Sequence, residues 1–234
     1  IYPLPEPVFR EMAEEDWAEA WKRQYHRLRV GRRTVIVPAG EDYAAGAGEV
    51  VIRLEPGMAF GPGLLPTTRL CLEAVVRCVA AGAMVLDVGT GSGVLAIAAA
   101  KQGAQSVLAL DADSAAVTVA RENVEQNGVA EGVTVRHGSL PGGDVVPRHF
   151  DLDGTLELLD SGQYDLVLVN ILAPVIIGLA PALAARLASE GRLIVAGLID
   201  SQEGDVEAAL REQGLLVADR SQEKDWVALV ARRG

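Results

Sequence analysis

The chain has only two cysteines and three histidines in 234 residues. Cys71 and Cys78 fall seven positions apart on a predicted helix over Thr67–Ala80. That spacing is two turns, about 10 Å, too far for a disulfide. They read as buried thiols in a reducing compartment, the cytoplasm. His26, His137 and His149 are scattered, and neither cysteine clusters with them, so no metal site is implied. No apolar run reaches the roughly 18 residues of a membrane span. Ile1–Arg10 is Pro-rich and lacks the apolar segment of a secretory signal. Positive charge is in the minority, 21 Lys and Arg against 32 Asp and Glu, for a net charge of −11. Phosphate contacts dominate nucleic-acid affinity, so this balance argues against general nucleic-acid binding. It suits a basic partner, or it serves solubility alone. There is no internal repeat and no low-complexity tract.

Half of the residues are hydrophobic, enough for a sizeable core in one domain with an appendage. The most informative stretch is MVLDVGTGSG at 84–93, followed by SVLALDAD at 106–113. An apolar run ends in Asp87; Gly89, Gly91 and Gly93 follow at every second position. A helix-like segment comes next, then a second apolar run ending in Asp111. This is a strand, a glycine turn, a helix and a strand. Glycine permits backbone angles closed to other residues and lets a ligand lie against bare main chain. An acid at the tip of the second strand sits where a ribose hydroxyl pair would arrive.

The spacing separates two cofactors. A dinucleotide fingerprint reads G-x-G-x-x-G; here the third glycine is one residue early, and Val94 occupies its place. A carboxylate at Asp87 would repel a pyrophosphate and suits a ligand bearing cationic sulfonium and amino groups. The pattern D-x-G-x-G-x-G with an acid about twenty residues on resembles the class I S-adenosylmethionine-dependent methyltransferases.

Along the chain, strands are expected at 84–88, 106–110, 132–136, 164–169, 192–196, 215–219 and 225–231, and helices at 93–102, 114–127, 173–188 and 202–213. Strands alternating with helices predict an α/β fold, a mostly parallel seven-stranded Rossmann-like sheet with helices on both faces and the last strand antiparallel. Short strands are expected at Thr34–Val37 and Glu49–Leu54, a loop at Glu55–Pro66, and a surface insertion at 138–162. Glu11–His26 carries Trp17, Trp21 and Tyr25 at four-residue spacing, an amphipathic helix that packs on the main domain or serves as a docking face. Asp113 and Ser114 are placed to cap the next helix. Asn170 ends the strand in LVLVNILAP, where an amide offers both donor and acceptor or simply forms a turn.

A narrower resemblance rests on EPGMAFGPGLLPTTRLCLEA at 55–74, DVGTGSGVLAIAAAKQGA at 87–104, LDAD at 110–113 and NILA at 170–173. Together with EEDWAEAWKRQY at 14–25, these resemble the PrmA family, the methyltransferases of the large-subunit ribosomal protein L-eleven. The resemblance implies methyl transfer from S-adenosylmethionine to lysine and α-amino groups of that ribosomal protein. It implies Thr68, Gly89, Asp111 and Asn170 as cofactor contacts, with Phe60, Thr67, Asp87 and Gly91 beside them, and Asn170 as the residue that aims the amine. It further implies an N-terminal segment and linker helix within residues 1–28, the remnant after a missing substrate-recognition domain, and a catalytic domain over 29–234. The family's loop reads GTGxHPTT, whereas here Pro62 and Leu65 stand for a threonine and a histidine. A methyltransferase for another amine, or a cofactor-binding domain that no longer catalyses, are the alternatives. Only Pro62 and Leu65 support the second.

Overall fold

The computed structural model describes residues 27–54, 65–142, 157–159 and 161–234. The aromatic helix expected at Glu11–His26, the loop residues 55–64 including Phe60 and Pro62, and most of the 138–162 insertion lie outside them.

The described chain opens with a small sheet. Strands β1 (Leu28–Val30) and β2 (Thr34–Pro38) pair antiparallel, and β2 pairs parallel with β3 (Val50–Leu54). Helix α1 (Pro66–Cys78) follows. The main unit then alternates: β4 (Met84–Val88), α2 (Val94–Lys101), β5 (Ser106–Asp111), α3 (Ser114–Gln126), β6 (Val133–Ser139), β7 (Glu157–Leu158), β8 (Tyr164–Asn170), α4 (Ala173–Arg186), β9 (Leu187–Ile199), α5 (Asp200–Glu212), β10 (Leu215–Glu223) and β11 (Trp226–Arg233). The sheet order is β10-β11-β9-β8-β4-β5-β6-β7. Only β11 runs against the rest: it is antiparallel to both its neighbours, as expected for the last strand. The expected seven strands are all present; the two-residue β7 adds an eighth at the edge.

Side chains alternate across a strand, and here the two faces bury two separate cores. Val85 of β4, Val107 and Ala109 of β5, and Leu166 and Leu168 of β8 pack under α1, α2 and α3 with Ile36, Ile52 and Leu54 of the small sheet. Leu86 and Val88 of β4, Leu110 of β5, and Val167 and Val169 of β8 pack under Ile176, Leu179 and Leu183 of α4 and Val206 and Leu210 of α5. Each such fully buried aliphatic side chain contributes about 1.5–3 kcal/mol relative to exposure. The small sheet is also tied by a polar clamp. The Asn127 side chain accepts from Arg53 N at 2.8 Å and donates to Arg53 O at 2.6 Å, imitating a neighbouring strand at the end of β3. Cys71 is buried and Cys78 half-buried on α1, and both are free thiols. No helix among the described residues is long and apolar enough to cross a membrane.

From β4 the chain moves outward to β5 and β6, then returns to place β8 on the other side of β4. The carboxyl ends of β4 and β8 therefore form a topological switch point, where open α/β sheets bind ligands. Helix α1 returns from that carboxyl edge to the start of β4, so its first turn, Thr67 and Thr68, lies on the same rim.

Candidate functional site

Strand parity decides which side chains meet at the rim. Asp87 shares the face of Val85, Asp111 that of Ala109, and Asn170 that of Leu168. Asp111 and Asn170 end their strands and Asp87 is the last but one of its own, all on the α1–α3 face, where Thr68 of α1 is also buried. Spacing along the chain cannot reveal this common face; pairing β4 with both β5 and β8 does.

The glycine turn lies between the two acids. Gly89, Gly91 and Gly93 have φ of 73°, 56° and 80°, angles that a side chain tolerates poorly. Gly89 N and Thr90 N both donate to Leu110 O at 2.9 Å, which ties the turn to β5. Asp111 closes the turn from the other side: its Oδ2 accepts from Gly91 N at 2.8 Å and its Oδ1 from Asp113 N at 3.0 Å. The aligned amides leave the remaining carboxylate lone pairs available at the rim. Asp113 caps α3, its side chain accepting from Ala115 N at 2.9 Å, as expected. His137, at the end of β6, sets its Nε2 2.9 Å from Ala112 O and steadies the same loop.

Asp87 is fully buried beneath the turn. Its Oδ2 accepts from the Thr90 hydroxyl at 2.6 Å, while Oδ1 has no partner. Burial first, and the neighbouring Asp111 charge as well, push its pKa up to about 7, against the Thr90 hydrogen bond and the nearby main-chain amide of Ala96. Burial likewise raises Asp111, partly offset by the amides of Asp113 and Gly91. Desolvation penalises the charged carboxylate in both cases. Among the described residues, three buried side-chain polar atoms lack a partner: Thr68 Oγ1, Asp87 Oδ1 and Arg186 Nη1. Buried polar atoms are normally satisfied, and two of these three belong to the sequence-expected site. With the fully buried Asp87 and the half-buried Asp111 held close, the site lacks a cation and a hydrogen-bonding partner. A ligand carrying sulfonium and ammonium groups supplies both; a pyrophosphate supplies neither. The residues present therefore fit S-adenosylmethionine.

The NILA segment is placed by two glycines. A Cβ on Gly89 would lie 2.4 Å from Ile171 Cγ2, and a Cβ on Gly197 of β9 would lie 2.2 Å from Ile171 O. Ile171 is thus wedged between the glycine turn and β9, and it fixes Asn170 before it and the 70% exposed Leu172 after it. The half-buried Asn170 faces the rim, beside Ala196 of β9. Thr67 and Thr68 are both buried in the first turn of α1. Leu65, at the N-cap of that helix, is 47% exposed and makes no capping bond. Sequence reasoning missed Thr90, Gly197 and His137. Thr90 carried a usable signal, a hydroxyl three residues after the acid; Gly197 and His137 carried none, because their partners lie far along the chain.

A depression of about 550 Å³ opens at the opposite, amino edge of the sheet, beside Arg77, Asp165, Glu190 and Arg192. Its polar groups include ones already paired, Asp165 with Met84 N and Arg77 with Asp219. Unmet polar groups concentrate instead at the carboxyl rim, so chemistry is assigned there. No group of three or more metal-ligating side chains occurs among the described residues.

Comparison with known proteins agrees with this geometry. Residues 4–234 match the family model described as ribosomal protein L11 methyltransferase (PrmA). The ribosomal protein L11 methyltransferase of Chloroflexus aurantiacus is 50% identical over 241 residues, covering 100% of this chain and 74% of that protein. That of Pelotomaculum thermopropionicum is 48% identical over 223 residues, covering 95% and 67%. Among solved structures, a ribosomal protein L11 methylase from Lactobacillus delbrueckii subsp. bulgaricus superposes with a TM-score of 0.75 at 34% identity, covering 89% of this chain and 99% of that one. This chain belongs to the ribosomal protein L11 methyltransferase (PrmA) family.

Proposed function

We propose that this chain transfers methyl groups from S-adenosylmethionine to lysine ε-amino and α-amino groups of the large-subunit ribosomal protein L11. One observation carries the choice of donor: the glycine turn lies between the buried Asp87 and the half-buried Asp111 carboxyls, and Asp87 Oδ1 and the buried Thr68 Oγ1 are unmatched. Family membership supports the acceptor. Asp111 is assigned to the ribose hydroxyls, Gly89 and Gly91 to close main-chain approach, and Thr67, Thr68, Phe60 and Asp87 to the methionine end. Residues 29–234 are read as the catalytic unit and 1–28 as its linker segment, working in the cytoplasm.

The donor, once bound, supplies a methyl group on a sulfonium, open to in-line displacement. The residues must deliver a neutral amine to it. A lysine amine has an ordinary pKa of about 10.4 and must lose a proton first. Desolvation favours that loss, and water can take the proton, so no strong base is required. What remains is aim. The Asn170 carboxamide oxygen accepts an amine hydrogen and leaves the lone pair directed at the methyl carbon. Holding reactants in such a pose supplies a large part of an enzyme's rate.

The test is incubation of the chain with isotopically labelled S-adenosylmethionine and purified ribosomal protein L11, followed by mass spectrometry of its peptides. Label on lysine side chains and the amino terminus is the expected result, and Asn170→Ala should abolish most of it while still binding the donor. Donor binding with no transfer to any amine would instead mark a non-catalytic domain.

A further inference from the structure

Helix α1 carries Thr67 and Thr68 to the rim, yet nothing local holds its start. Its N-cap is Leu65, with no side-chain cap and no acidic residue in the first turn. Arg69 follows at once, a cation near the positive end of a helix dipole, where cations are unfavourable. The arrangement is made tolerable from far along the chain. Arg69 Nε donates to Glu223 Oε2 at 2.7 Å, and Arg69 Nη2 meets Glu223 Oε1, a two-point fork between partly buried side chains 154 residues apart. Such bidentate pairs fix orientation as well as charge.

Glu223 is well placed to act as an anchor. It is the last residue of β10 and pairs with Trp226 across a two-residue turn at the carboxyl rim. Lys224 in that turn has φ of 54°, and its carbonyl accepts from Gln222 Nε2 at 2.6 Å. Asp225 O accepts from Asp200 N at the start of α5. The hairpin tip is therefore itself held, and it holds α1 through Arg69.

We propose that Arg69 and Glu223 are positioning residues for methyl-donor binding: their ion pair sets the first turn of α1 so that the Thr67 and Thr68 side chains meet the donor. This rests on the donor reading above. A second ion pair provides an internal control. Arg77 Nη2 meets Asp219 Oδ2 at 3.1 Å, between the same helix and the same strand, but toward the amino edge. If the Arg69–Glu223 pair acted only through general stability, any loss of donor affinity would follow the loss of melting temperature in every variant.

The experiment measures S-adenosylhomocysteine affinity by calorimetry, melting temperature, and KM and kcat with S-adenosylmethionine. It compares the natural chain, Glu223→Gln, Arg77→Gln, and the exchanged pair Arg69→Glu with Glu223→Arg. The expected result is donor affinity and KM worsened about fivefold in Glu223→Gln, with kcat within about twofold. Arg77→Gln should match the natural chain, and the exchanged pair should recover most of the lost affinity. Unchanged affinity in Glu223→Gln overturns the proposal, as does equal weakening in Glu223→Gln and Arg77→Gln. If the natural chain binds neither donor nor product, the donor reading itself fails and this proposal falls with it.

Discussion

Asp87 shows how a single residue can set stability against function. Its folded pKa lies near 7, well above the ordinary carboxylate value of 3.8. Between those values the folded chain binds a proton that the unfolded chain has released. Stability from this group is thus complete below about pH 4 and is lost as pH rises toward 7. Two outcomes follow. Asp87→Asn should stabilise the ligand-free protein at pH 8 by on the order of 2 kcal/mol, seen as a raised melting temperature, while weakening S-adenosylmethionine binding. Donor binding at pH 6 should release protons, seen as a calorimetric enthalpy that varies with buffer ionisation. A binding enthalpy at pH 6 that is the same in all buffers would contradict the Asp87 assignment. Asp111 should behave differently, because its oxygens already accept two main-chain amides. Asp111→Ala removes both the ribose contact and a support of the glycine turn. Donor affinity should fall by about 1.5–3 kcal/mol, as for a hydrogen bond to a charged group; titration of the variant would check this.

At the scale of elements, the site depends on how strands meet loops. Gly197 sits at φ of 88° in β9 and lets Ile171 O come within what would be 2.2 Å of a Cβ. Gly197→Ala must push the NILA segment outward, since the obstacle is backbone rather than a flexible side chain. Asn170 moves with it, while Asp111 and the glycine turn stay. The expected outcome is a kcat lowered about tenfold or more, because alignment is lost, with donor affinity changed less than threefold. Steady-state kinetics with varied donor would show the split; an equal loss in both would place the damage in the whole site. The β4–α2 and β5–α3 units were legible beforehand because their signals are local: apolar runs of strand length, glycines at positive φ, and Asp113 at a helix start. β9 was only partly legible. Five of its residues, 192–196, read as strand, yet it spans Leu187–Ile199. Its start pairs with Tyr164 across a register shift before Leu166 meets Arg192. Strand formation there follows from a neighbour's edge rather than from propensity. The three-residue β1 was missed for the same reason: it exists as the partner of β2.

For the molecule as a whole, the donor-site residues assigned among the described ones run from Thr67 to Asp111, the amine-aiming Asn170 follows, and both cores are built from residues 30–231. Removing residues 1–26 should therefore leave S-adenosylhomocysteine affinity within about twofold, while transfer to ribosomal protein L11 falls if that segment helps to orient the acceptor. Parallel calorimetry and turnover assays on the two forms would check it; lost donor affinity in the shortened form would tie 1–26 to the cofactor site.

The amino-acid sequence alone determined the alternation of strands and helices, the reversed last strand, the glycine turn between Asp87 and Asp111, and with its longer motifs the family. Each of these is written in periodicity or in short spacing, and local sterics and burial are enough to express it. Only the tertiary structure decided that Asp87, Asp111, Asn170 and Thr68 share one face. It also decided that Asp87 lies under the turn with one oxygen unmatched, that Gly197 seats Ile171, and that Arg69 is answered by Glu223. Those are relations between positions tens to more than a hundred residues apart. They come into being only when strand order and register bring distant segments to the same rim.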